Sequence, residues 1–183
     1  MDSLTGKLLV AVPQLADENF RQSVVLILEH SDQGALGIVL NRPSTLSLSD
    51  LWKQVTGHAT TAEGHLFVGG PVEARLVALH TSNQWGNGEV IPGLFITYEP
   101  ADLEKLLANP SAPLRVFAGC AGWGAGQLEG ELEEGSWFIA DAQLANVLTD
   151  PEWLWRKVVD GIGKRVVLER HDHERLPDDP EWN

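Results

Sequence analysis

Two uninterrupted apolar runs, Val24-Val25-Leu26-Ile27-Leu28 and Ala35 to Leu40, constrain this chain more than any other feature. Each is too short for a typical helix and too continuously apolar to leave one face in water. The polar turn His30-Ser31-Asp32-Gln33-Gly34 lies between them. The pattern predicts a β-hairpin buried on both faces, which needs a layer of structure on either side. A further strand is predicted over the apolar stretch Leu4 to Val12, ended by Pro13, which has no N–H to give a ladder.

Other segments read as short alternating elements. Ser47-Leu48-Ser49-Asp50 has capping-box spacing, and Leu48, Leu51, Trp52 and Val55 follow at helical intervals, so a helix is predicted to about Thr56. Strands are predicted at Leu66 to Val68, Arg75 to Thr81, Leu94 to Tyr98, Leu114 to Ala118 and Ser136 to Ala140, with a turn or loop over Asn83 to Gly93. Helices are predicted after Pro100, on Leu103, Leu106 and Leu107, and over the acidic segment Gln127 to Glu134. Asp150-Pro151 starts a last helix, with Leu154, Val158 and Ile162 on one stripe. Strands and short helices at irregular intervals exclude regular βαβ alternation and predict one α+β domain with a largely antiparallel, curled sheet and short flanking helices. The domain is expected over residues 1–170, with an acidic, flexible tail over 171–183.

Charge and cysteine content narrow the function classes. Thirteen Lys and Arg against 26 Asp and Glu give a net charge of -13, which disfavours binding to a phosphate backbone. The chain has no apolar run long enough to span a bilayer, and its N-terminus lacks a basic region followed by an apolar segment, so no membrane partner and a cytoplasmic location are expected. Cys120 is the sole cysteine, which excludes an internal disulfide and a cysteine-based zinc cage within one chain. No metal site and no cofactor are expected. His171-x-His173 lacks a third anchored ligand and reads as part of the solvated tail.

Chemistry-bearing residues concentrate in bends. The glycine-rich stretch Gly119 to Gly126 follows a strand and precedes a helix, where backbone N–H groups could meet an anion or simply make a tight turn. It is not a dinucleotide fingerprint, since Gln127 stands where the third glycine would be. Cys120 within it is the candidate thiol, with His30 or His80 as a possible base; the alternative is a small buried hydrophobe. Arg42 in Asn41-Arg42-Pro43 could hold a carboxylate, and Gly69-Gly70-Pro71 sets a sharp turn.

Leu4 to Pro13, Phe20 to His30, Gly34 to Pro43, Gly69-Gly70-Pro71-Val72 and Gly119 to Glu129, in that order and spacing, resemble the AlgH/YqgE family of bacterial proteins. The resemblance spans roughly Leu4 to Trp155. It rests on Asn41, Arg42, Pro43, Gly69, Gly70, Pro71, Gly122, Trp123, Gly124, Gly126, Gln127, Leu128 and Glu129, with Ala125 where proline is usual and Cys120 where an aromatic is frequent. It implies an α+β fold whose bifurcated sheet curls into a pseudo-barrel, a cytosolic location and an undetermined biochemical activity; some members carry the label of transcriptional regulator. It supplies no catalytic residues.

The expectation is a non-enzymatic module binding an unknown protein or small molecule where the three bends, with His80 and Glu129, gather on one surface. A Cys120-dependent thiol enzyme or redox switch, and direct regulation on DNA, are the alternatives.

Overall fold

The hairpin forms the middle of a five-stranded sheet. The computed structural model describes residues 2–58, 60–73, 75–108, 110 and 113–173, with side chains to 164. Its elements in chain order are β1 (Lys7–Ala11), β2 (Val24–Ser31), β3 (Gly34–Val39), β4 (Pro43–Ser47), α1 (Leu48–Thr56), β5 (His65–Val68), β6 (Val77–His80), β7 (Gly88–Ile91) and β8 (Leu94–Thr97). They continue with α2 (Pro100–Ala108), β9 (Leu114–Ala118), β10 (Ala121–Gly124), α3 (Gln127–Glu133), β11 (Trp137–Asp141), α4 (Leu144–Val147) and α5 (Pro151–His173). The first sheet has the order β10-β3-β2-β1-β11 and the second β4-β5-β9-β6-β8-β7. Every pairing is antiparallel except β5 with β9.

The continuous apolar runs are explained by two cores, one on each face of the first sheet. Leu8, Val10, Leu26 and Ile38 point toward Phe67, Leu79 and Phe117 of the second sheet and Leu154 and Val158 of α5. Their neighbours Leu9, Val25, Ile27 and Val39 point the other way, to Trp123, Leu128 and Trp137. Successive strand residues face opposite sides, so a strand covered twice has no position left for a polar residue. A third core, with Leu48, Trp52, Leu103, Leu106 and Leu107, covers the outer face of the second sheet with α1 and α2. The predicted capping box closes α1: Asp50 N–H donates to Ser47 Oγ at 3.0 Å, and Gly57 ends the helix in the left-handed conformation.

The two sheets are joined at a fork. The chain leaves β3 in the first sheet and enters β4 in the second, and it leaves β9 in the second and enters β10 in the first. Gly69 sits between these crossings: Val39 N–H donates to its carbonyl at 2.8 Å, and its own N–H donates to the Ala118 carbonyl at 2.7 Å.

Several expectations are revised. The sheets do not close into a barrel: β10 and β11 are the ends of one, β4 and β7 of the other. The fork splits the strands into two layers that pack face to face through a shared core, which removes the need for one rolled cylinder. The glycine stretch after Cys120 is partly a strand, β10, because Ala121 and Trp123 alternate inward between exposed Gly122 and Gly124. The predicted loop over 83–93 contains β7. Strand β4 and helix α4 lie outside the predicted elements. Helix α5 is described to His173, and residues 174–183 of the expected tail lie outside the described residues. Among the described residues no helix is long and apolar enough to cross a membrane.

Candidate functional site

Three bends far apart in sequence meet, backbone against backbone, at the fork. Val68 N–H donates to the Arg42 carbonyl at 2.8 Å, and Val72 and Cys120 exchange a pair of backbone hydrogen bonds at 3.0 Å. Gly70 has φ +152°, and a Cβ there would stand 2.2 Å from the carbonyl carbon and oxygen of Cys120. Gly119, at φ +77°, would put a Cβ 2.8 Å from the Gly70 carbonyl. Both positions demand glycine because two main chains are in contact where any side chain would stand.

From this shared backbone the side chains diverge. Asn41 is used locally: its Oδ1 accepts from Val24 N–H at 2.9 Å and its Nδ2 donates to the Gln22 carbonyl at 2.9 Å. Arg42 donates to the Arg21 carbonyl and lines a groove beside α5, while Pro43 and Pro71 are exposed. Cys120 opens onto a different cavity, between the sheets.

The β10–α3 end forms a third environment. Glu131 Oε2 accepts from the indole N–H groups of both Trp123 (2.9 Å) and Trp137 (2.8 Å), and Oε1 accepts from Gln127 Nε2 at 3.0 Å. Gln127 Oε1 in turn accepts from Gly124 N–H at 3.1 Å. Phe20 closes the group, its ring 5.9 Å from Trp123 and 5.5 Å from Trp137. The left-handed Gly126 (φ 72°) turns the chain into α3. Glu129 pairs with His30 Nε2 at 2.9 Å, and since His30 Nδ1 accepts from Leu4 N–H at 3.0 Å, the ring proton lies on the Nε2 side. A main-chain hydrogen bond at Glu129 itself, followed by the one from His30, holds the Glu129 carboxyl below its ordinary pKa.

His80 is fully buried in β6, apart from all three bends. Its Nε2 lies 2.8 Å from Thr97 Oγ1, whose own proton goes to the Trp85 carbonyl, so the imidazole donates. Burial lowers its pKa, offset in part by the Ser82 main chain.

The cavity that takes Cys120 is a cleft of about 470 Å³ where the sheets separate. Leu28, Leu36 and Ile38 form one wall, and Val77, Val90 and Ile96 the other. Thr5, Glu29, Arg75, Asn87, Glu89 and Tyr98 supply its polar groups. Arg75 lies 5.1 Å over the Tyr98 ring and 3.8 Å from Glu99. Burial raises the Cys120 thiol above its ordinary pKa, so at neutral pH it is a protonated, weakly polar group. No hydrogen bond joins it to either histidine proposed as a base.

Arg75, Tyr98 and Glu131 were not singled out in the sequence. The apolar cleft walls alternate with core residues along the same strands, so nothing local separates them. Gln127 and Glu131, four apart on a helix, were the one readable signal, of a shared helix face. Among the described residues no group of three or more His, Cys, Asp or Glu could hold a metal ion.

A profile of the family described as AlgH-like matches residues 8–167. A UPF0301 protein of Streptomyces avermitilis is 39% identical over 202 residues, covering 100% of this chain and 97% of that protein. One from Myxococcus xanthus is 43% identical over 168 residues, covering 89% and 93%. The solution structure of the AlgH protein from Pseudomonas aeruginosa is similar with a TM-score of 0.67 and 32% identity, over 82% of this chain and 83% of that one. A crystal structure of a Corynebacterium diphtheriae protein gives 0.68 and 30%, over 84% of each.

Proposed function

The chain belongs to the AlgH-like family, and from that premise we propose that it is a non-enzymatic, cytoplasmic binding module whose small-molecule ligand enters the cleft between the two sheets. The observation that carries this reading is the cleft itself. Its size falls in the range of about 300–1,000 Å³ that holds small ligands, its walls are apolar, and polar groups stand among them. The ligand chemistry that fits is an apolar body with a polar end directed toward Arg75, Glu29 and Glu89. Cys120 then acts as a wall of the pocket, and its raised pKa argues against the thiol-enzyme alternative. The net charge of -13 argues against direct action on DNA, so a regulatory role runs through the ligand.

The reading is tested with 8-anilinonaphthalene-1-sulfonate, an apolar anionic dye. Native protein is expected to bind it saturably with one site, and Val90→Trp, which fills the cleft from its half-buried β7 wall, is expected to weaken binding at least tenfold while circular dichroism is unchanged. No binding, or equal binding by the filled variant, would overturn the proposal.

A further inference from the structure

A second cavity, which shares no lining residue with the cleft, has chemistry of its own. It is a groove of about 280 Å³ between the β3–β4 crossing and the first turns of α5, lined among others by Gln22, Asn41, Arg42, Glu152, Trp153 and Arg156. Asn41 pins one wall through both atoms of its amide. Gln22 on that wall is the one non-glycine residue at positive φ (53°) among the described residues.

The groove is anomalous in its charge. Arg42 is half-buried, and its guanidinium is oriented by the bond to the Arg21 carbonyl. Arg156, from α5, lies 5.7 Å over the Trp153 ring, which is 53% exposed. Among the described residues, neither arginine has a carboxylate within ion-pair distance. Arg21 adds a third positive charge nearby; burial first, and then that charge, lower the Arg42 pKa. Glu152 also lines the groove, and its main-chain N–H donates to Asp150 Oδ1 at 3.0 Å in the first turn of α5. Among the described residues Glu152 is the acidic side chain that lines the groove, against the two guanidinium groups of Arg42 and Arg156, and it forms an ion pair with neither. Partly desolvating a guanidinium beside a like charge is unfavourable unless an anion shares the site.

We propose that this groove is an oxyanion-binding site, in which Arg42 and Arg156 converge on a phosphate or carboxylate group and Trp153 flanks the ligand. Arg42 is held by its carbonyl bond with N–H groups left to donate, the fork geometry that suits planar or tetrahedral oxyanions. Arg156 on the exposed Trp153 ring is the adjustable partner.

The test is a titration of the full chain with inorganic phosphate, and separately with acetate, at constant ionic strength, followed by nitrogen-15 NMR of the arginine side chains and the Trp153 indole. Saturable shifts at Arg42, Arg156 and Trp153 are expected with at least one of the two. A response to phosphate alone assigns a phosphate ligand; a response to both assigns the oxyanion class. Arg156→Gln, which changes an exposed side chain and leaves the fork intact, is expected to weaken binding at least tenfold, as is Arg42→Gln if it folds. Shifts reproduced by chloride at the same ionic strength, or an Arg156→Gln variant that binds as tightly as the native chain, would overturn the site. The dye experiment is decided by Val90→Trp in the cleft and this one by Arg156→Gln in the groove, two variants in cavities that share no lining residue, so either result stands without the other.

Discussion

Cys120 and His80 are both perturbed by burial, with opposite chemical meanings. Burial disfavours the charged form of each, which raises the thiol and lowers the imidazole. The thiolate is the reactive species, so native Cys120 is expected to react with iodoacetamide at pH 7.5 several-fold more slowly than the urea-unfolded chain, measured by mass spectrometry. Faster labelling of the native protein would restore the nucleophile reading. For His80 the folded pKa lies below the unfolded value of about 6.5. Between the two, the unfolded chain binds a proton that the folded chain does not, so stability is fully present above about 6.5 and is lost as pH falls toward the folded pKa. His80→Gln keeps a donor for Thr97 and does not titrate. Urea denaturation between pH 5 and 8 is expected to give it a shallower loss of stability on the acid side than the native chain, and parallel curves would refute the assignment.

At the scale of elements, the fork is maintained by main-chain contact and its ends by side-chain clamps. Gly70 and Gly119 let the loop after β5 pass against the β9–β10 crossing, and Glu131 ties α3 to β10 and β11 by accepting from two indoles. Gly70→Ala forces a Cβ into the Cys120 carbonyl group, and its expected cost is about 2–4 kcal/mol in urea denaturation. Gly130→Ala, in α3 with nothing within 4 Å of its Cβ position, is expected to gain about 0.5–1 kcal/mol by helix propensity alone. A neutral Gly70→Ala would mean that the fork relaxes freely. Helix α5 belongs to the same scale: Leu154 and Val158 enter the core between the sheets, and Trp155 Nε1 donates to the Ala11 carbonyl at 2.8 Å, which fixes the wall carrying Arg156 against β1. The elements readable in the sequence were those with a local signature, such as the hairpin β2–β3, the capped helix α1 and the stripe of α5. Those that were not, β4 and β10, take their strand state from partners: β4 starts at a proline and runs through Ser and Thr beside β5, and β10 carries two glycines on its open face beside β3. Their β character is a property of the ladder they join.

At the scale of the whole molecule, the acidic composition and the two arginines of the groove beside α5 belong together. A net charge of -13 repels anions in general, and one positive groove within that field selects where an anion is held. The sequence by itself determined the α+β class, the two-sided burial of the hairpin and the glycine-bearing bends, because hydrophobic period, caps and turn residues act over a few neighbouring positions. Tertiary structure alone decided that the sheets stay open, that the bends share a backbone seam while Arg42, Cys120 and Gln127 face three different places, and that Arg42 and Arg156 border one groove. Those outcomes depend on contacts between segments separated by most of the chain, and side-chain direction at a crossing is set by which sheet each strand enters, which no local pattern encodes.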